Sequence, residues 1–221
     1  ELVLVPARGV ERWLSQRLSR VLGRSHGDDG VCAGIDFRSP RSLAAELTGA
    51  DLDDPWAPDA LVWVVLDVLD TCLDAPWATT LARHLGHHDG GDERELRQGR
   101  RYAVARRLAG LLASYAAQRP QLLRDWGEGA VTDGLDRPLD PDLAWQPPLW
   151  REVAARVAEP DPLQRHATAL ERLAAGPVDL PARLSLFGHT RMPSTEVELL
   201  CALAHHHELH LIHHIHHIHA C

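Results

Sequence analysis

Strand-like segments occur only near the two ends of this chain, and everything between them reads as helix or loop. Glu1–Pro6 (ELVLVP) is a short apolar run, and Ile35–Phe37 is a second short extended piece. Strand character returns only at Ala182–Gly188 (ARLSLFG) and again at Glu208–Ile212. A sheet built from Leu2–Val5, Leu184–Phe187 and Leu209–Ile212 must close across the whole intervening sequence. Strands joined through helices rather than tight turns make a parallel sheet, so the order specifies an α/β domain interrupted by a large all-helical insertion. The insertion is expected over residues 43–176. Residues 1–42 form the first part of the sheet domain and 177–221 its return.

The helices follow from apolar spacing and from their stop signals. Val10, Trp13, Leu14, Leu18, Val21 and Leu22 fall on one face of a first helix. Ser39-Pro40 supplies a cap followed by proline at the first helical position. Residues 59–73 are apolar enough for a buried helix, and a short one follows over 76–85. The longest pattern covers 93–118, with Tyr102, Leu108, Leu111, Leu112 and Tyr115 as its stripe. Arg119-Pro120 ends it. Further helices are expected over 120–126, 149–158, 163–174 and 193–204.

Composition removes several kinds of chemistry. All 23 basic residues among the 221 are arginine, because the chain contains no lysine. A phosphate-binding loop of the GxxxxGK[ST] type needs an ammonium to reach the terminal phosphates, so this chain is expected to lack ATPase function. Acidic residues outnumber basic ones, giving a net charge of -8, and any nucleic-acid contact must use a local patch. The aspartates are scattered through proline- and glycine-rich turns, unlike the clustered carboxylates of a two-metal nuclease. The four cysteines form no CxxC pair and are expected to be buried thiols. There is no signal sequence and no run long enough to span a membrane, so the expected location is cytoplasmic.

Nine of the 15 histidines crowd residues 205–219. Without fixed geometry such a run makes no defined metal site, and none is expected here. His87-His88 sits in a glycine loop and is expected to be simply exposed. Gly188-His189-Thr190 joins a strand to a helix at the sheet edge where α/β proteins place sites, although an ordinary connecting loop explains it as well. Arg8 and Arg12 lie in the strand-to-helix turn and the first helical turn, where cations and backbone amides meet phosphates.

Longer stretches carry a resemblance. ELVLVPARGVERWLSQRLSRVLG, IDFRSPRSLAAEL, SYAAQRPQLLRDWGEG, AWQPPLWREV, LPARLSLFGHTRMPSTEVELLCAL and ELHL resemble segments of the RecC family, gamma subunits of exodeoxyribonuclease V, in the same order and at the same spacing. The resemblance implies a superfamily-1 helicase-like domain that is ATPase-defective. It implies a heterotrimer with RecB-like and RecD-like subunits that use ATP and magnesium, while this chain carries no cofactor and no catalytic residue. The expected ligands are single-stranded and duplex-end DNA, in double-strand break repair and recombination.

Positions matching the family's single-strand channel are Pro6, Arg8, Arg12, Ser39, Ala45, Leu111, Ala113, Arg119 and Arg165. Of these, Arg8, Arg12, Ser39, Leu111, Arg119 and Arg165 are the expected DNA contacts. Pro6, Arg8 and Arg12 replace small polar and amide residues of the family pattern, Ala45 replaces an aromatic and Ala113 an acid. These changes favour strand guidance over reading of the family's recombination signal. Two other readings stand beside this one: a scaffold that only docks partner proteins, and a metal-dependent enzyme using the histidine run.

Overall fold

The computed structural model describes residues 1–22, 30–50, 53–92, 97 and 99–212. The chain divides into two compact units, Glu1–Gly49 with Ala167–Cys221, and Ala50–His166.

The first unit is an α/β domain. Its strands are β1 (Leu2–Leu4), β2 (Asp36–Arg38), β3 (Arg183–Phe187) and β4 (Glu208–Ile212), and all pairings are parallel in the order β2-β1-β3-β4. The short extended piece near residue 36 thus becomes a fourth strand, with Leu2 opposite Asp36 on one side and Leu184 on the other. β1 is buried along its whole length, as expected of a central parallel strand read as an unbroken apolar run. β4 lies at the edge, and Leu211 and Ile212 are exposed there.

Alternate residues of a strand share a face, so Leu2, Leu4, Leu184 and Leu186 present one apolar layer. It packs with Leu43 and Leu47 of α2 (Pro40–Thr48), Ala169 and Leu173 of α8 (Pro162–Ala175), and Leu199, Leu200 and Leu203 of α9 (Ser194–Leu203). Helix α2 is closed at both ends. Ser42 N donates to the Ser39 side chain at 3.1 Å, and Gly49 takes the left-handed φ of 70° at the C-cap. Arg172 then donates to the Leu47 carbonyl at 2.6 Å, satisfying one of the helix's last acceptors.

Helix α1 (Arg8–Ser19) departs from expectation. Its stripe is present, yet no residue of α1 is buried, and Trp13 is 50% exposed. Trp13 lies beside Phe187 with ring centroids 6.2 Å apart, and the Arg17 guanidinium lies over the Trp13 ring, 5.5 Å from its centroid. The thiols also differ: Cys32 and Cys72 are half-buried and Cys201 is exposed.

The second unit is helical. It contains α3 (Pro58–Cys72), a short 3-10 turn at Pro76–Ala78, α4 (Thr79–His84), α5 (Arg101–Gln118), α6 (Pro120–Gly127) and α7 (Gln146–Val157). Residues 93–96 and 98, part of the long helical pattern in the sequence, lie outside the described residues. Leu61, Val62, Val65, Val68 and Leu69 of α3 pack with Ala105, Leu108, Ala109, Leu112 and Ala116 of α5. Tyr102, expected in the stripe, is instead 48% exposed and lies beside Trp63. Trp126 of α6 is 1% exposed, donates its indole N–H to Thr132 O at 2.9 Å, and meets Tyr115 edge to face.

Among the described residues, no helix is long and apolar enough to cross a membrane.

Candidate nucleic-acid interface

In the first unit, β1 and β2 run in the same direction, so their carboxyl ends open on one side. The chain leaves β1 through Val5, whose N–H donates to Arg38 O at 2.8 Å, and turns at Pro6-Ala7 into α1. Ala7 occupies the cap position with extended geometry and no side-chain acceptor. Its carbonyl takes the N–H groups of Val10 and Glu11, so no side chain caps the amides of Arg8 and Gly9 at the start of the helix. Helix starts of this kind favour anions through both their N–H groups and their dipole.

Beside this turn lies a cavity of about 630 Å³, whose walls include Pro6, Arg8, Glu11, Phe37, Ser39 and Ser42. Arg8 and Ser39, separate in sequence, therefore meet at one opening. The Ser39 hydroxyl is committed to capping α2. Arg38 is committed as well, to Asp36 and Glu46 at 2.6 Å each, and these carboxylates raise its pKa above the ordinary guanidinium value. Arg8 is thus the basic group on this wall that, among the described residues, has no carboxylate within ion-pairing distance. Arg12 is exposed one turn further along α1 and does not line the opening. Pro6 forms part of the wall, and Ala45 is half-buried on α2.

The remaining expected contacts belong to the second unit. Leu111 and Ala113 are half-buried on α5. Arg119 is exposed at the break between α5 and α6, where its own amide donates to Tyr115 O at 2.8 Å. Arg165 differs from all of these. It pairs with Asp54 at 2.9 Å, the two side chains being only 19% and 11% exposed. Asp54 also accepts from the Trp56 backbone N–H at 3.0 Å. A guanidinium so placed is first a structural partner of a sheltered carboxylate.

One further group lies near the carboxyl end of β3. Strand order reverses between β1 and β3, since one neighbour of β1 follows it directly and the other returns from the insertion. That reversal is where open parallel sheets form crevices. His189 stands there, after Gly188 with its φ of 69°. Burial lowers the His189 pKa, a hydrogen bond to the Leu4 backbone opposes this, and its Nε2 is buried with no hydrogen-bond partner. Glu196, in the first turn of α9, is pushed up by burial, with Arg41 opposing. The sequence marked the loop around His189 and placed Glu196 near the positive end of its helix, but gave no sign that Glu196 is buried, because burial at a helix start is set by packing.

A base held neutral in the fold makes stability pH-dependent in one direction. Below its ordinary pKa of 6.5 the unfolded chain takes up a proton that folded His189 resists, so stability falls as the pH drops through that region. Thermal unfolding at pH 7.5 and 5.5 should show a smaller acid loss for His189→Gln than for the unsubstituted chain. An equal loss would show that His189 titrates freely.

Fold and site together define a class: a parallel α/β sheet domain, split by a helical insertion, with a cavity at the carboxyl edge of its strands. Residues 1–215 match the family model for the RecC N-terminal domain. The chain belongs to the RecC family. It is 63% identical over 211 residues to the RecBCD enzyme subunit RecC of Mycolicibacterium smegmatis, covering 96% of this chain and 18% of that protein. The corresponding subunit of Mycobacterium tuberculosis strain H37Rv is 62% identical over 213 residues, covering 96% of this chain and 19% of that one. That of Escherichia coli K12 is 28% identical over 224 residues, covering 96% and 18%. The chain thus spans about a fifth of the length of these relatives.

Proposed function

We propose that this chain is the N-terminal part of a non-catalytic RecC subunit that guides single-stranded DNA within an exodeoxyribonuclease V-type complex. In this reading RecB-like and RecD-like partners supply ATP hydrolysis, magnesium and strand cleavage. The chain supplies an ATPase-defective, superfamily-1 helicase-like sheet domain, working in the cytoplasm in double-strand break repair and recombination.

The observation that carries the reading is the opening at the carboxyl ends of β1 and β2. There an uncapped helix start and the Arg8 guanidinium face a cavity with walls of mixed polarity. Both features suit a phosphate backbone, and neither reads a base edge. The absence of lysine anywhere in the sequence supports the ATPase-defective part of the reading.

Arg8→Ala combined with Arg12→Ala in the assembled complex should weaken single-strand binding by about tenfold at low salt and flatten its salt dependence by about one to two ions. Fluorescence anisotropy across a salt series measures both. Unchanged affinity and slope would defeat the strand-guiding role and favour a scaffold that only docks partner proteins.

A further inference from the structure

Within the helical unit, the end of α3 and the loop after α4 bring three metal-binding side chains together. Asp74, His87 and His88 each offer a ligand atom, and these atoms all lie within 4.8 Å of one another. His87 Nε2 is 2.9 Å from Asp74 Oδ1, and the two imidazoles meet edge to face with centroids 4.9 Å apart. We infer that Asp74, His87 and His88 form a binding site for a zinc-class divalent cation.

The loop is shaped before any ion arrives. Gly86 takes a φ of 61°, which turns the chain back, and the His87 amide donates to Ala82 O at 2.9 Å. Asp89, two residues on, pairs with Arg97 at 3.1 Å and holds the far side of the turn. The side chain of His87 is only 19% exposed and is therefore the fixed ligand, while that of Asp74 is 82% exposed and can adjust.

The spacing also fits. Two ligands bound tetrahedrally to zinc at about 2.1 Å stand about 3.4 Å apart, so the Asp74–His87 gap need open by only about half an ångström. One carboxylate and two neutral imidazoles leave a fourth position for water, the arrangement of an open zinc site.

Arg101 approaches the other ring nitrogen of His87, its Nη2 lying 3.4 Å from Nδ1, a long contact. With a metal on Nε2 the ring proton sits on Nδ1, and this contact gives way. Asp70 already holds the same guanidinium through Nη1, so Arg101 is not left stranded.

The test uses the full chain with His205, His206, His210, His213, His214, His216, His217 and His219 replaced by glutamine, which removes all of the competing run except the buried His207. Calorimetry with zinc and visible absorption with cobalt(II) then read the site. One equivalent should bind, and Asp74→Asn and His88→Gln should each weaken binding by about tenfold or more. Both side chains are exposed, so unfolding midpoints without metal should match the parent. Failure to bind one equivalent, or affinity retained within about twofold in either variant, would overturn the site.

Discussion

Trp126→Ala should destabilise the chain by about 4 kcal/mol, the largest effect expected of any single change described here. The indole is 1% exposed and sits among Leu122, Leu123, Leu149 and Trp150 in the core of the helical unit. Truncation leaves a cavity that the rigid helices around it close only in part. It also strands the Thr132 carbonyl, which accepts the indole N–H. Trp126→Phe largely separates the two losses, since it keeps most of the volume while removing the donor. It should cost about 1–2 kcal/mol. Denaturant titration of the three proteins measures both steps, and near-equal midpoints for alanine and phenylalanine would contradict the packing account.

Arg165→Ala should cost about 2–3 kcal/mol, less than a fully dry ion pair because both side chains keep some access to water. Most of that loss is the penalty on Asp54, left sheltered without its cation. Asp54→Asn in the same chain removes the charge and keeps an oxygen for the Trp56 amide, so the double variant should recover more than half of it. A double-mutant cycle reads the coupling directly. Additive losses would mean that Arg165 is free for another anion, and its place among the proposed strand contacts would then be strengthened.

That pair shows where the sequence is informative and where it is silent. A run such as Leu2–Val5 can be read as a buried strand because a central parallel strand has no polar face to disguise it. Ser39-Pro40 announces a helix start by chemistry that is entirely local. The side chain of Arg165 gave no such notice. Whether an arginine faces solvent or a carboxylate 111 residues away depends on tertiary placement, and no spacing rule reports it.

Helix stripes were legible in phase but not in depth. In α5 the sequence drew attention to large residues, while Ala105, Ala109 and Ala116 are among the residues it buries in the core shared with α3. In α1 the stripe is real, yet none of it is buried within this chain. The edges of the insertion were equally hard to place, since an amphipathic helix such as α2 does not say which core takes its leucines. The opening at the sheet edge was half visible. Arg8 could be found from the strand-to-helix turn, but its meeting with Ser39 requires the β1–β2 pairing.

The pairing of Leu2 with Leu184 has a consequence for synthesis. A ribosome adding about 5–20 residues per second makes β1 and then takes on the order of ten seconds or more to deliver β3. During that interval every segment of the helical unit emerges, so its core can form before β3 is available. The strand Leu2–Val3–Leu4 meanwhile waits with one of its two edges unmatched, sticky and unshielded. Chaperone capture of nascent chains should therefore include the Leu2–Leu4 strand, and its hold on that strand should end when β3 clears the exit tunnel.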